Sequence, residues 1–169
     1  MPSRAQRLAL TLTTAACMTM GGTAMAAGTT TSTSITSATA SLLAQKAIAA
    51  CTEAGYVVSV SVVDNAGVLL SFIRADGAGP HTVKASQAKA YTSASSRNPT
   101  SGIAKAVQSN PDAAGMTDIP DFLVLAGGVP IKVGNATVGG IGVAGAPGGH
   151  LDEACAQKAL EAVQQQLAN

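Results

Sequence analysis

Tyr56-Val57-Val58-Ser59-Val60-Ser61-Val62-Val63, then Asp64-Asn65-Ala66-Gly67, then Val68-Leu69-Leu70-Ser71-Phe72-Ile73-Arg74 is the stretch that decides the fold class. Both flanks are rich in β-branched residues, and the four residues between them are turn chemistry, so the whole reads as a β-hairpin. Strands joined by so short a link run antiparallel. Further along, residues 122–125, 129–133 and 137–143 read as three consecutive strands, with Gly127-Gly128 and Gly134-Asn135 as their turns. Helical periodicity marks residues 36–53, where Leu42, Leu43, Ala47, Ala50 and Cys51 share an apolar face that Gly55 terminates. A second helix is expected over 81–95, broken by Asn98-Pro99, and a short third over 101–108. Residues 109–120, with Pro111, Gly115 and Pro120, read as irregular, and 151–167 as a closing amphipathic helix. The order α-ββ-αα-βββ-α predicts an α/β (α+β) domain, with about five antiparallel strands covered by helices. No internal repeat is visible.

Outside this block the chain changes character. Arg4 and Arg7 precede an uncharged stretch from Leu8 to Met20, and Ala24-Met25-Ala26 has the small-x-small pattern of a signal peptidase site. Residues 1–26 are therefore expected to be a signal peptide, 27–35 a Thr/Ser-rich disordered leader, and 36–169 a single domain. The uncharged run is short and diluted by threonine, whereas a spanning helix needs about 20 mostly apolar residues. The expected location is periplasmic or extracellular. An acylated Cys17 is the alternative, but Thr14 stands where a large aliphatic residue is expected.

Composition narrows the partners. The chain has 10 Lys+Arg and 9 Asp+Glu, or 8 against 9 without Arg4 and Arg7, with no Trp, two Tyr and two Phe. A nucleic-acid partner needs a cationic footprint and usually stacking aromatics, so it is not expected. Nothing later in the sequence is long and apolar enough to span a membrane. The apolar residues are mostly Ala, Val, Ile and Gly, which bury modest area in a monomer, so a homo-oligomer is expected. Loss of Cys17 with the signal would leave Cys51 and Cys155, an even count that permits a disulfide in an exported protein. Two separate buried thiols are the alternative reading.

Most familiar catalytic patterns are missing. There is no Gly-x-Ser-x-Gly, no phosphate-binding loop and no His-Glu-x-x-His. Gly139-Gly140-Ile141-Gly142 lacks the helix start of a nucleotide-binding turn, and reads as glycines that let a strand approach another backbone. Asp112, Asp118 and Asp121 fit no calcium loop and are expected to be solvated. His150 reads as a surface or capping residue. His81, Ala85, Ala88 and Thr92 fall at i, i+4, i+7 and i+11 of the second helix and so share a face. The alanines would make a shallow floor for a flat apolar molecule, with His81 or Thr92 touching a metal at its centre. The same stripe could simply pack on the sheet. Lys84 and Lys89 flank it, free to meet ligand carboxylates, Asp76 or water, and Arg74 faces the same loop.

Six blocks run in order along the chain: Asp64-x-x-Gly67, Arg74-x-Asp76-Gly77-Ala78, Lys89-Ala90-Tyr91-Thr92, Gly127-Gly128-Val129-Pro130-Ile131, Val138-Gly139-Gly140-Ile141-Gly142-Val143 and Asp152-Glu153-x-Cys155-Ala156. Together they resemble the GlcG/HbpS family of haem-binding-like proteins. The resemblance implies a profilin-like or sensor-like antiparallel sheet, oligomers, and for the exported type haem binding in the service of a redox-sensing partner protein. It places Thr92 at the haem iron. It leaves three functions in play: an exported, non-enzymatic haem (tetrapyrrole) binder, a small-molecule metabolite enzyme or accessory of the glycolate-utilisation kind, and an oligomeric partner-binding protein without cofactor. Under the first, Thr92 and His81 contact the metal, Ala88 floors the site, and Lys84 or Arg74 meets the carboxylates.

Overall fold

The β1 pattern Ser-Val-Ser-Val-Val places two chemistries on opposite faces of one strand. In the computed structural model, which describes residues 28–167, both faces are covered. Strand β1 (Ser59–Asp64) pairs antiparallel with β2 (Leu69–Arg74) on one side and with β4 (Ala136–Ala144) on the other. Strand β3 (Gly128–Val133) pairs with β4, giving a four-stranded antiparallel sheet in the order β2-β1-β4-β3. Val60 and Val62 join Val58, Ile131, Ile141 and Val143 in the main core, against helix α1 (Ser37–Glu53) and helix α4 (Gly149–Leu167). Helix α2 (His81–Ser96) takes the other face. There Ser59 Oγ lies 2.7 Å from Thr82 Oγ1, and Ser61 Oγ lies 2.9 Å from Ser86 Oγ.

Helix α2 sits unusually close to the sheet because β4 has glycines beneath it. A Cβ on Gly140 would come within 2.5 Å of the Ala90 carbonyl oxygen. A Cβ on Gly142 would fall on the Ser86 carbonyl and within 2.5 Å of the Ala90 nitrogen. The glycine run thus serves backbone approach, as the sequence suggests.

The fold class is as expected, with one strand fewer. Residues 122–125 form no strand. The Leu123 N–H donates to Thr92 Oγ1 at 2.8 Å, and the Leu125 N–H turns back to the Leu123 carbonyl at 2.9 Å. A side chain from α2 and a tight local turn take the hydrogen bonds that a neighbouring strand would need. Helix α3 (Thr100–Ser109) and a 3-10 helix (Pro111–Asp118) occupy the stretch before it. Of the expected leader, Ile35 is buried and its N–H donates to the Val138 carbonyl at 2.9 Å. The expected signal peptide, residues 1–26, lies outside the described residues. No described helix is long and apolar enough to cross a membrane.

A disulfide joins Cys51, near the end of α1, to Cys155 in α4, with Cα atoms 5.4 Å apart at a sequence separation of 104. Closing so long a loop restricts the unfolded chain, an effect of about 2–5 kcal/mol for native bridges. Urea unfolding with and without reductant should therefore show a lower midpoint when reduced. Coincident midpoints would contradict a stabilising bridge.

Candidate functional site

Helix α2 carries every chemically interesting side chain of the sequence stripe, and its rotation decides which of them reach solvent. At about 100° per residue, neighbours Tyr91 and Thr92 cannot face the same way. Thr92 turns inward and is fully buried. Its hydroxyl donates to the Ala88 carbonyl at 2.7 Å and accepts from Leu123 N–H at 2.8 Å. Lys84, Ala88 and Tyr91 form the outward stripe, three and four residues apart. They border a half-open cleft of about 480 Å³, completed by Gln87, Gly67 and Asp121.

Two backbone features shape this cleft. Gly67, in the β1–β2 turn, has φ +84°, and a Cβ there would meet two Tyr91 ring carbons at 2.5 and 2.7 Å. The bare glycine lets the phenol ring lie against the turn. On its other side the ring meets Phe122 edge-on, with centroids 6.0 Å apart. Asp121 adopts φ +64°, a left-handed conformation uncommon for a non-glycine residue. Asp121 and Lys84 are both exposed and form no ion pair among the described residues. A second hollow of about 540 Å³, bordered by Pro99, Ile103, Ala106 and Met116, holds no charged side chain.

Not all the expected site residues come together. Lys84 and Ala88 line the cleft; His81, Arg74 and Thr92 do not. His81 is exposed, with its imidazole folded back over Gly79, and His150 does the same over Gly148. Arg74 donates from Nε to the Ala78 carbonyl at 2.9 Å, with a second close contact from its terminal nitrogen, and so closes its own loop. Gly67 and Tyr91 stand in the family-like blocks and Asp121 in the acidic segment expected to be solvated, but nothing in the sequence placed any of them at the site, and Gln87 carried no signal at all. Choosing Tyr91 over Thr92 required knowing where residue 123 lies. Among the described residues no group of three or more His, Cys, Asp or Glu is arranged to hold a metal ion.

Lys89 corrects a sequence expectation. It neither flanks the cleft nor reaches water. Its ammonium is 2.8 Å from Asp152 Oδ2 and 3.0 Å from the Val143 carbonyl, with side chains only 2% and 4% exposed. Asp152 Oδ1 accepts from the Ala146 N–H at 2.9 Å. This pair ties α2 to the end of β4 and to the first turn of α4, where a carboxylate is also favoured by the helix dipole. Helix α2 buries Lys89 because its remaining inward positions are small and the ammonium finds two acceptors beyond them.

The described residues thus form an α/β domain, a helix-covered antiparallel sheet with a half-open, partly polar cleft on one covering helix. The chain belongs to the GlcG/HbpS family: residues 35–161 match the family described as haem degrading protein HbpS-like. A crystal structure of a double mutant of Streptomyces reticuli HbpS is similar over 83% of this chain and 94% of that one, at 41% identity and a TM-score of 0.77. GlcG of Escherichia coli K12 is 36% identical over 86 residues, which are 51% of this chain and 63% of GlcG, so the match spans under two thirds of that relative. The fold recurs in PduOC, crystallised as a haem complex, at 21% identity and a TM-score of 0.68, over 76% of this chain and 94% of that one.

Breaking a buried ion pair from one side leaves the other charge uncompensated, at a cost of about 3–5 kcal/mol. Lys89→Met should show a loss of that order in urea unfolding, and the double variant Lys89→Met with Asp152→Leu should recover much of it. A single variant within about 1 kcal/mol of wild type would mean that the pair behaves like an exposed one.

Proposed function

We propose that this chain is an exported haem-binding protein that holds haem without transforming it. The cleft on α2 is the observation that carries the reading. Its volume lies in the range of ligand sites, about 300–1,000 Å³. Its floor at Ala88 is shallow and apolar, its rim carries the Lys84 cation, and the Tyr91 phenol belongs to a residue type that ligates haem iron. Those residues fit the group: Ala88 and the Tyr91 ring would bear its flat face, and Lys84 would pair with a propionate. When bound, haem supplies a redox-active iron; the chain's part is to orient the ring and shield one side of it. Membership of a haem-related family supports the same reading.

Export is supported by the Cys51–Cys155 bridge, since disulfides persist mainly in oxidising compartments. Self-association is supported by the edge strand, where Leu69 and Phe72 are exposed together with Val68 in the preceding turn. Light scattering on the purified protein should then give a mass above that of one chain; a monomer at all concentrations would remove the oligomer from the proposal.

Haemin titrated into purified protein should give a saturable shift of the Soret band, weakened in Lys84→Ala. The tetrapyrrole ring should be recovered unopened after ascorbate or peroxide is added. Bleaching to an open-chain tetrapyrrole would replace binding by degradation, and the absence of a saturable shift would end the haem reading.

A further inference from the structure

The two edges of the sheet are built differently. Strand β3 carries Pro130, which has no N–H to offer a neighbour, the exposed cation Lys132, and a register shift between Ile131 and Lys132. Those features guard an edge against a further strand. Strand β2 has a register shift near its start but no proline, and no charged side chain stands between Asp64 and Arg74. The Arg74 guanidinium folds back on its own loop. The Ala75 N–H donates to the Val58 carbonyl, so by antiparallel alternation the N–H and C=O of Phe72 point away from β1, where no described strand receives them. Phe72 lies opposite Ser61 and Leu69 opposite Val63, on the face that carries α2. Helix α2 packs mainly on the other strands, and both side chains stay exposed. The chain has two Phe and no Trp, and one of the two is left here. On the opposite face α1 covers β2 and turns Cys51 toward α4. The only charged residues of α1, Lys46 and Glu53, are exposed. At about 100° per residue they fall within about 20° of each other and about 150° from Cys51, on the flank away from α4.

We propose that β2 is the seam of a symmetric pair with a second copy of this chain, which deepens the self-association proposed above and rests on it. The two-fold axis passes at Phe72. Each Phe72 N–H donates to the Phe72 carbonyl of the other copy, the two rings lie side by side, and the two four-stranded sheets join into one. The same axis sets the two α1 helices alongside each other in opposite directions. Lys46 of each copy then meets Glu53 of the other, so the charged stripe is its own complement, as a two-fold interface requires. A standard interface buries about 800 Å² on each partner. The strand edge, the Phe72 and Leu69 side chains and the α1 flank are the surfaces that contribute to it.

Light scattering on the purified protein tests the seam, with circular dichroism to check that each variant folds. Phe72→Lys puts a charge on the edge and should at least halve the mass of the wild-type assembly. Lys46→Glu and Glu53→Lys each set like charges against each other and should weaken the pair about tenfold. Mixing these two variants in equal amounts should restore it, because each supplies the sign that the other lacks. Should Phe72→Lys fail to fold, the mixing experiment decides, since both of its substitutions lie on an exposed helix surface. A wild-type oligomer whose mass Phe72→Lys leaves unchanged, or charge variants that are not weakened singly or not rescued on mixing, overturns this seam and leaves self-association standing. A wild type that stays monomeric at all concentrations overturns both.

Discussion

The setting of α2 on the sheet is the constraint on which the rest of the structure depends. Three kinds of contact fix it. The β4 glycines allow the helix backbone to approach the strand directly. Two hydroxyl pairs, Ser59–Thr82 and Ser61–Ser86, set its position along the strand. The Lys89–Asp152 pair then locks its rotation from the far side. Each hydroxyl bond contributes about 1 kcal/mol net, and breaking the ion pair from one side costs about 3–5 kcal/mol. A rotation of α2 by one residue would exchange Tyr91 for Thr92 at the cleft and bury a different set of side chains.

The two faces of the sheet do different work. Against α1 and α4 the contacts are aliphatic, drawn from Val, Ile, Leu and Ala. Against α2 the apolar cluster is small, with Val63, Ala90 and Ala94, and the remainder is serine, threonine, glycine and the buried Lys89. Aliphatic packing tolerates substitutions that conserve volume. Backbone-to-backbone approach tolerates almost none, because even one methyl on Gly142 has nowhere to go.

Much of this was legible in the sequence because it is local. The hairpin, the strand of glycines, the helix ends at Gly55 and Asn98-Pro99, and the layered class all follow from periodicity and turn chemistry. What was not legible depends on partners distant in the chain. Residues 122–125 look like a strand by composition, but a hydroxyl 31 residues away takes the Leu123 amide. Lys89 looks like a surface lysine until Asp152, 63 residues on, is placed beside it. Helical spacing put Ala88 and Thr92 on adjacent turns of α2, where the Thr92 hydroxyl bonds to the Ala88 carbonyl, yet it could not say that Leu123 would engage Thr92 while Tyr91 borders the cleft. The pairing of Cys51 with Cys155 was permitted by the count, and only geometry could bring them together.

The disulfide has a consequence for how the protein can change over generations. It staples α1 to α4 on the side of the sheet away from α2. The staple thus lies in one layer and the cleft in the other. Drift among the outward residues of α2 can reshape the cleft without weakening the staple. Drift in the α1 and α4 residues around the bridge can lengthen or shorten the life of the molecule without altering the cleft.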